Sequence, residues 1–159
     1  MIISFFGHRR CYGFPLKKDI INTIFENIDP NEKILFYCGG YGEFDSICLR
    51  ACSEIKTILP DAEIILVTPY ITEASQKSIH KLLEFKDYDS VIYPPLERVP
   101  YKLAILKRNE WIVSSSDFIV FYVNNGYGGA YESLKYAIKK NKKYINLGNY
   151  FLDKKSTLG

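Results

Sequence analysis

Methionine and tryptophan occur once each in 159 residues, and cysteine only four times, at Cys11, Cys38, Cys48 and Cys52. Four are too few for a disulfide scaffold in a chain this long, and their spacing lacks the paired CxxC of a zinc ribbon, so reduced thiols are expected. Cys48 and Cys52 share a helical face, but no His or carboxylate stands near them at ligand spacing. No metal site is therefore expected, and no cofactor is called for. Long hydrophobic runs are missing: the longest, such as Phe118 to Val123, fall far short of the ~20 residues of a membrane span. The apolar start of the chain is too short for a signal peptide and carries its charges, Arg9 and Arg10, on the wrong side. The expected address is cytoplasmic, with no membrane partner. Charge of one sign is also scarce, at a formal +3, below the balance of a dedicated duplex-DNA binder. Neither GxGxxG nor GxxxxGK[ST] occurs, which argues against an ordinary NAD dehydrogenase or a P-loop ATPase.

What is present is a folded composition, 47% apolar and 25% charged, with 15% aromatic residues. Short β-rich runs alternate with amphipathic segments from end to end, the pattern of βα units. Strands are expected at Ile2–Phe6, Lys33–Cys38, Glu63–Val67, Ser90–Tyr93, Asp117–Val123 and Tyr144–Leu147. Between them, helices are expected from Pro15 to Ile28, over Phe44 to Ile55 with Pro60 as the stop, and over Thr72–Phe85, Tyr101–Ser114 and Ala130–Asn141. Ile64-Ile65-Leu66-Val67 has no polar alternation, as in a parallel strand covered on both faces. The fold class is α/β, a parallel sheet flanked by helices in three layers. Residues 1–148 form a single domain on this reading, and 149–159 a polar tail.

Open parallel sheets bind ligands beyond the carboxyl ends of their strands. Gly7 follows the first strand, Gly39, Gly40 and Gly42 the second, and Gly126, Gly128 and Gly129 the fifth. Such loops permit close backbone approach and lead into helix N-termini, which favour phosphate. Tight βα turns also use glycine, so no single loop is diagnostic.

Four motifs in order, Phe5-Phe6-Gly7-His8-Arg9, residues 38–45 (CGGYGEFD), residues 108–117 (RNEWIVSSSD) and residues 126–132 (GYGGAYE), resemble the SLOG superfamily, in particular its small YpsA-like members. The likeness covers about residues 2 to 148. It implies a Rossmann-like fold that binds a nucleotide or nucleotide-derived ligand. LOG-type phosphoribohydrolases of that superfamily cleave the N-glycosidic bond of a nucleoside monophosphate, with an Arg before a late strand and a PGGxGTxxE loop after it. Arg108 falls at the position of that Arg. The loop here, Asn124 to Glu132, keeps two glycines and the Glu but not the Pro, one Gly or the Thr. By this resemblance Glu132 and Arg108 are the catalytic candidates, and LOG-like enzymes being dimers, a homodimer is implied. Other relatives are sensor domains or bind single-stranded DNA.

Each candidate has two readings. An ionised Glu132 could stabilise an oxocarbenium-like sugar or merely complement a helix dipole. Arg108 could clamp a phosphate or lie solvated on a helix. His8 could contact ligand, or form a structural hydrogen bond, with Arg9 at the same sheet edge. Asp45 could accept from ribose hydroxyls or again serve a helix end. Asn124 and Asn125 could touch ligand, with capping favoured for one of them. Tyr12, Tyr41, Tyr127 and Tyr131 could stack on a base. A small nucleotide-derived molecule is the expected partner. Nucleic acid is disfavoured: the basic cluster Lys139-Lys140-Asn141-Lys142-Lys143 sits where a helix C-terminus attracts cations anyway.

Overall fold

The computed structural model describes residues 1–11, 16–40, 42–69, 73–84, 87–96 and 98–149. Six strands, β1 (Ile2–Gly7), β2 (Leu35–Cys38), β3 (Glu63–Val67), β4 (Ser90–Ile92), β5 (Phe118–Tyr122) and β6 (Tyr144–Asn146), pair in parallel in the order β4-β3-β2-β1-β5-β6. Five helices flank them: α1 (Leu16–Asn27), α2 (Gly42–Ile58), α3 (Glu73–Glu84), α4 (Ala104–Ser115) and α5 (Gly129–Lys139). This is the α/β Rossmann-like architecture expected from the alternation of apolar runs. The expected helix start at Pro15, the residues Tyr12 and Tyr41, and the tail beyond Asn149 lie outside the described residues.

The period-2 geometry of a strand divides its side chains between the two faces of the sheet. Ile3 and Phe5 of β1, Phe36 and Cys38 of β2, Ile64 and Leu66 of β3, and Phe118 and Val120 of β5 pack with α1 and α2. Phe6, Tyr37, Ile65, Val67, Ile119 and Phe121 face the other way, against α4 and α5. Ser4 is fully buried in central β1 and is satisfied by a 2.7 Å hydrogen bond between its hydroxyl and that of Ser116. All four cysteines are buried free thiols. Burial first, then nearby carboxylate and thiol charges, raises the pKa of Cys48 far above the ordinary thiol value, so it is inert.

Element ends follow local chemistry. α2 stops at Ile58, just before Pro60, and α5 ends at Lys139, near Asn141, whose φ of 54° is left-handed. The expected helix at Tyr101 starts instead as a 3₁₀ turn, Tyr101–Leu103, because the extended Pro100 leads into an i→i+3 bond from Leu103 N–H to the Pro100 carbonyl. Among the described residues no helix is long and apolar enough to cross a membrane.

The position of the site follows from connectivity. β1 sits between β2 and β5; the connection after β1 delivers α1 to one face, while the connection after β4 recrosses the sheet to place α4 on the other face and β5 beside β1. The loops after β1 and β5 therefore diverge and leave a crevice between them.

Candidate functional site

That crevice is a cleft of about 810 Å³, walled on one side by Gly7, His8, Arg9 and Arg10 after β1. Asn124, Asn125, Tyr127, Gly128 and Gly129 after β5 form the other wall, and Gly39, Asp45 and Arg108 also line it.

His8 spans the two walls. Its backbone N–H donates to Tyr122 O at 3.3 Å, and its Nε2 accepts the backbone N–H of Asn124 at 3.1 Å. An accepting Nε2 places the proton of the neutral ring on Nδ1, and partial burial lowers the His8 pKa below the usual imidazole value. His8 is thus a neutral structural bridge at the cleft mouth.

The Arg9–Arg10 loop is pinned to the start of α2. Glu43 N–H donates to Arg9 O at 2.9 Å, and Cys11 N–H donates to Glu43 Oε2 at 3.2 Å. Gly42 makes this approach possible: its φ is +88°, and a Cβ there would lie 2.9 Å from Arg9 Cα. Gly42 thereby serves the loop from behind and, like Gly40 and Gly126, does not line the cleft. The two arginine side chains are exposed.

On the opposite wall, Asn125 Oδ1 accepts Tyr127 N–H at 3.3 Å, an Asx turn rather than the expected helix cap. The N-cap of α5 is Gly128, at φ 93°, with no side-chain cap hydrogen bond. Nothing lies within 4 Å of where a Cβ would stand on Gly128 or Gly129. An uncapped helix N-terminus, carrying partial positive charge and open space above it, therefore faces the cleft.

Arg108 lines the cleft but is only 5% exposed. Its Nη1 donates to Gly39 O at 3.2 Å and to Val67 O at 3.1 Å. This guanidinium fastens α4 to the carboxyl ends of β2 and β3 and adds positive charge to the cleft floor.

Glu132 is not brought together with these groups. It lies on the α5 stripe that borders a separate depression of about 250 Å³ beside α4, with Glu110, Tyr136 and Lys139, and its carboxylate is 3.8 Å from Lys135 Nζ. Phe5, Phe6 and Ala130 also line the cleft, as do Arg10, Ile105, Asn109 and Ile112, and none of these was among the sequence candidates. Counted from Ile105, Arg108, Asn109 and Ile112 fall at i+3, i+4 and i+7 on one helical stripe, so the α4 periodicity carried a signal for them. Among the described residues there is no cluster of three or more His, Cys, Asp or Glu side chains suited to a metal ion.

No family model and no curated protein matches the sequence. Two solved structures share the fold. DNA processing protein A from Helicobacter pylori, whose structure concerns a unique single-stranded DNA binding mode, superposes with a TM-score of 0.59 at 20% identity, over 99% of this chain and 71% of its own. DNA processing protein A from Streptococcus pneumoniae gives a TM-score of 0.60 at 13% identity, over 96% of this chain and 52% of its own. What they share is the fold. The present chain spans about half the length of the second relative. These neighbours correct one expectation, that nucleic acid is a disfavoured partner. Net charge averages over the whole surface, whereas a strand of nucleic acid meets only the local charge of a cleft. None of the matches supports the narrower YpsA-like or LOG-type resemblance.

Proposed function

We propose that the cleft binds single-stranded nucleic acid, seating a phosphate at the N-terminus of α5 between Gly128–Gly129 and the Arg9–Arg10 pair. The observation that carries this reading is the imbalance of charge within the cleft: Arg9, Arg10, Arg108 and an uncapped helix N-terminus against the single carboxylate of Asp45. His8, neutral at pH 7, adds no charge. Tyr127 is 74% exposed at the rim, and an exposed ring beside cations is the composition that stacks on a nucleotide base. The fold shared with a single-stranded DNA-binding protein supports the same class of partner. Hydrolysis of an N-glycosidic bond, which the LOG resemblance implies, has less support, because Glu132 borders a different depression.

The test is an anisotropy titration of a fluorescein-labelled (dT)12 at several salt concentrations. Saturable binding is expected, with log K falling against log salt at a slope of about −2, the value for roughly three neutralised phosphates on a single strand. Arg9→Ala with Arg10→Ala should weaken binding about tenfold and flatten that slope. A protein that ignores the oligonucleotide but retains a nucleoside monophosphate would overturn the reading. Chromatographic release of free base, abolished by Glu132→Gln, would restore the hydrolytic one.

A further inference from the structure

Tyr101, Leu103, Ile105 and Leu106 are all exposed, Tyr101 by 74%, although each is large and apolar. One such residue on a surface needs no explanation, but four within six positions form a patch. The patch is contiguous with the cleft, since Ile105 belongs to the cleft wall while Leu106 borders the neighbouring depression beside α5. It lies at the same carboxyl edge of the sheet, where the chain arriving from β4 enters α4.

Charge narrows the choice of occupant. From position 98 to position 108 the sequence carries Arg98, Lys102, Lys107 and Arg108 and no acidic residue. Arg108 is buried and Lys107, though exposed, bonds Glu110 at 3.1 Å, so Arg98 and Lys102 are the exposed cations outside that pair. Lysine is depleted at the centres of protein–protein interfaces. Rings and aliphatic side chains interleaved with cations instead form a platform on which bases stack while their phosphates are neutralised.

We propose that the 3₁₀ turn Tyr101–Leu103 and the first turn of α4 form a base-stacking shelf for the nucleotides that leave the cleft, with Arg98 and Lys102 holding their phosphates. The shelf rests on the cleft reading above and extends the path of the strand beyond the cleft: Tyr101 and Tyr127 stack bases on either side of Ile105.

The experiment compares wild type, Tyr101→Ala and Lys102→Ala on (dT)2, on (dT)12 and on an abasic dodecamer with the same number of phosphates. Melting curves check that each variant keeps its fold, and Tyr101→Phe, which keeps the ring, should bind (dT)12 as wild type does. Tyr101→Ala is expected to weaken (dT)12 about tenfold, the effect of losing one stacked base, and to change (dT)2 and the abasic strand by less than twofold. Lys102→Ala should weaken both dodecamers alike. If Tyr101→Ala leaves (dT)12 binding intact, or weakens the abasic strand equally, while wild type still depends on Arg9 and Arg10, the shelf is overturned and the cleft reading stands. A shift of Tyr101→Ala to a smaller species in sedimentation, with DNA affinity unchanged, assigns the patch to a second copy of the chain and overturns the shelf as well. Failure of wild type to bind any of the three strands removes the cleft reading, and the shelf with it.

Discussion

Arg108 lines the cleft and at the same time anchors the fold through its Nη1. Its bonds to Gly39 O and Val67 O tie it to the carboxyl ends of β2 and β3. Replacing it with Met keeps most of the volume but removes this donor from both carbonyls, which should cost about 1–3 kcal/mol. Urea unfolding followed by Trp111 fluorescence measures this, because Trp111 of α4 stacks on Tyr37 of β2 at 5.9 Å and reports directly on how α4 sits on the sheet. His8 gives a pH-dependent counterpart. Its folded pKa lies below 6.5, so on acidification the unfolded chain takes up a proton first. Stability is therefore complete above pH 6.5, falls as the pH drops from 6.5 to the folded pKa, and levels off below it. An NMR titration of the His8 ring should place its midpoint below 6.5, and His8→Gln should remove that part of the melting-temperature decline. The sequence shows that His8 stands at a sheet edge; that its Nε2 is occupied by the Asn124 N–H depends on the β1–β5 pairing, which brings together positions 116 residues apart.

At the scale of the element, the start of α5 separates two glycines that look equivalent in the sequence. Gly128 has φ 93°, so alanine there is strained by about 1–2 kcal/mol. Gly129 is the first residue of the helix, and alanine should be tolerated or mildly stabilising. Yet a methyl at Gly129 would enter the open space that a phosphate is proposed to use. We expect Gly129→Ala to retain or raise the melting temperature while weakening (dT)12, and Gly128→Ala to lower both; thermal melts paired with anisotropy titrations check this. Element identities were legible because each rests on local pattern. The run Glu63–Val67 reads as a strand from its unbroken apolar residues, and α2 from Phe44, Cys48, Ala51, Cys52 and Ile55, which are all buried as their spacing requires. The 3₁₀ turn at Tyr101 was not legible, since the same residues would suit a helix. The face of α5 on which Glu132 falls was not legible either: a motif gives order along the chain, and only the packing of α5 against α4 sets which groove a given side chain borders.

For the molecule as a whole, a net charge of +3 conceals an uneven distribution. Positive groups gather at one edge of the sheet, in Arg9, Arg10 and Arg108, while at the opposite end Lys33 and Lys56 are matched by Glu63 and Asp89. The cleft itself was largely foreseeable, because in a parallel sheet the loops after strands gather at one end whatever their sequence. The exposed apolar stretch beside it was not, because a helix expected over Tyr101–Ser114 does not say which of its apolar residues face the sheet, and only the packing leaves Tyr101, Leu103, Ile105 and Leu106 exposed while Ile112 and Val113 are buried.

The outermost strands, β4 and β6, are three residues long, against six for central β1. An edge so short offers a foreign strand too few free N–H and C=O groups to form a lasting ladder. The protein can therefore keep an open cleft at the carboxyl edge of its sheet without also presenting that sheet as a template for its own copies, and it should remain free of fibrous self-association at concentrations where a sheet with longer margins would polymerise.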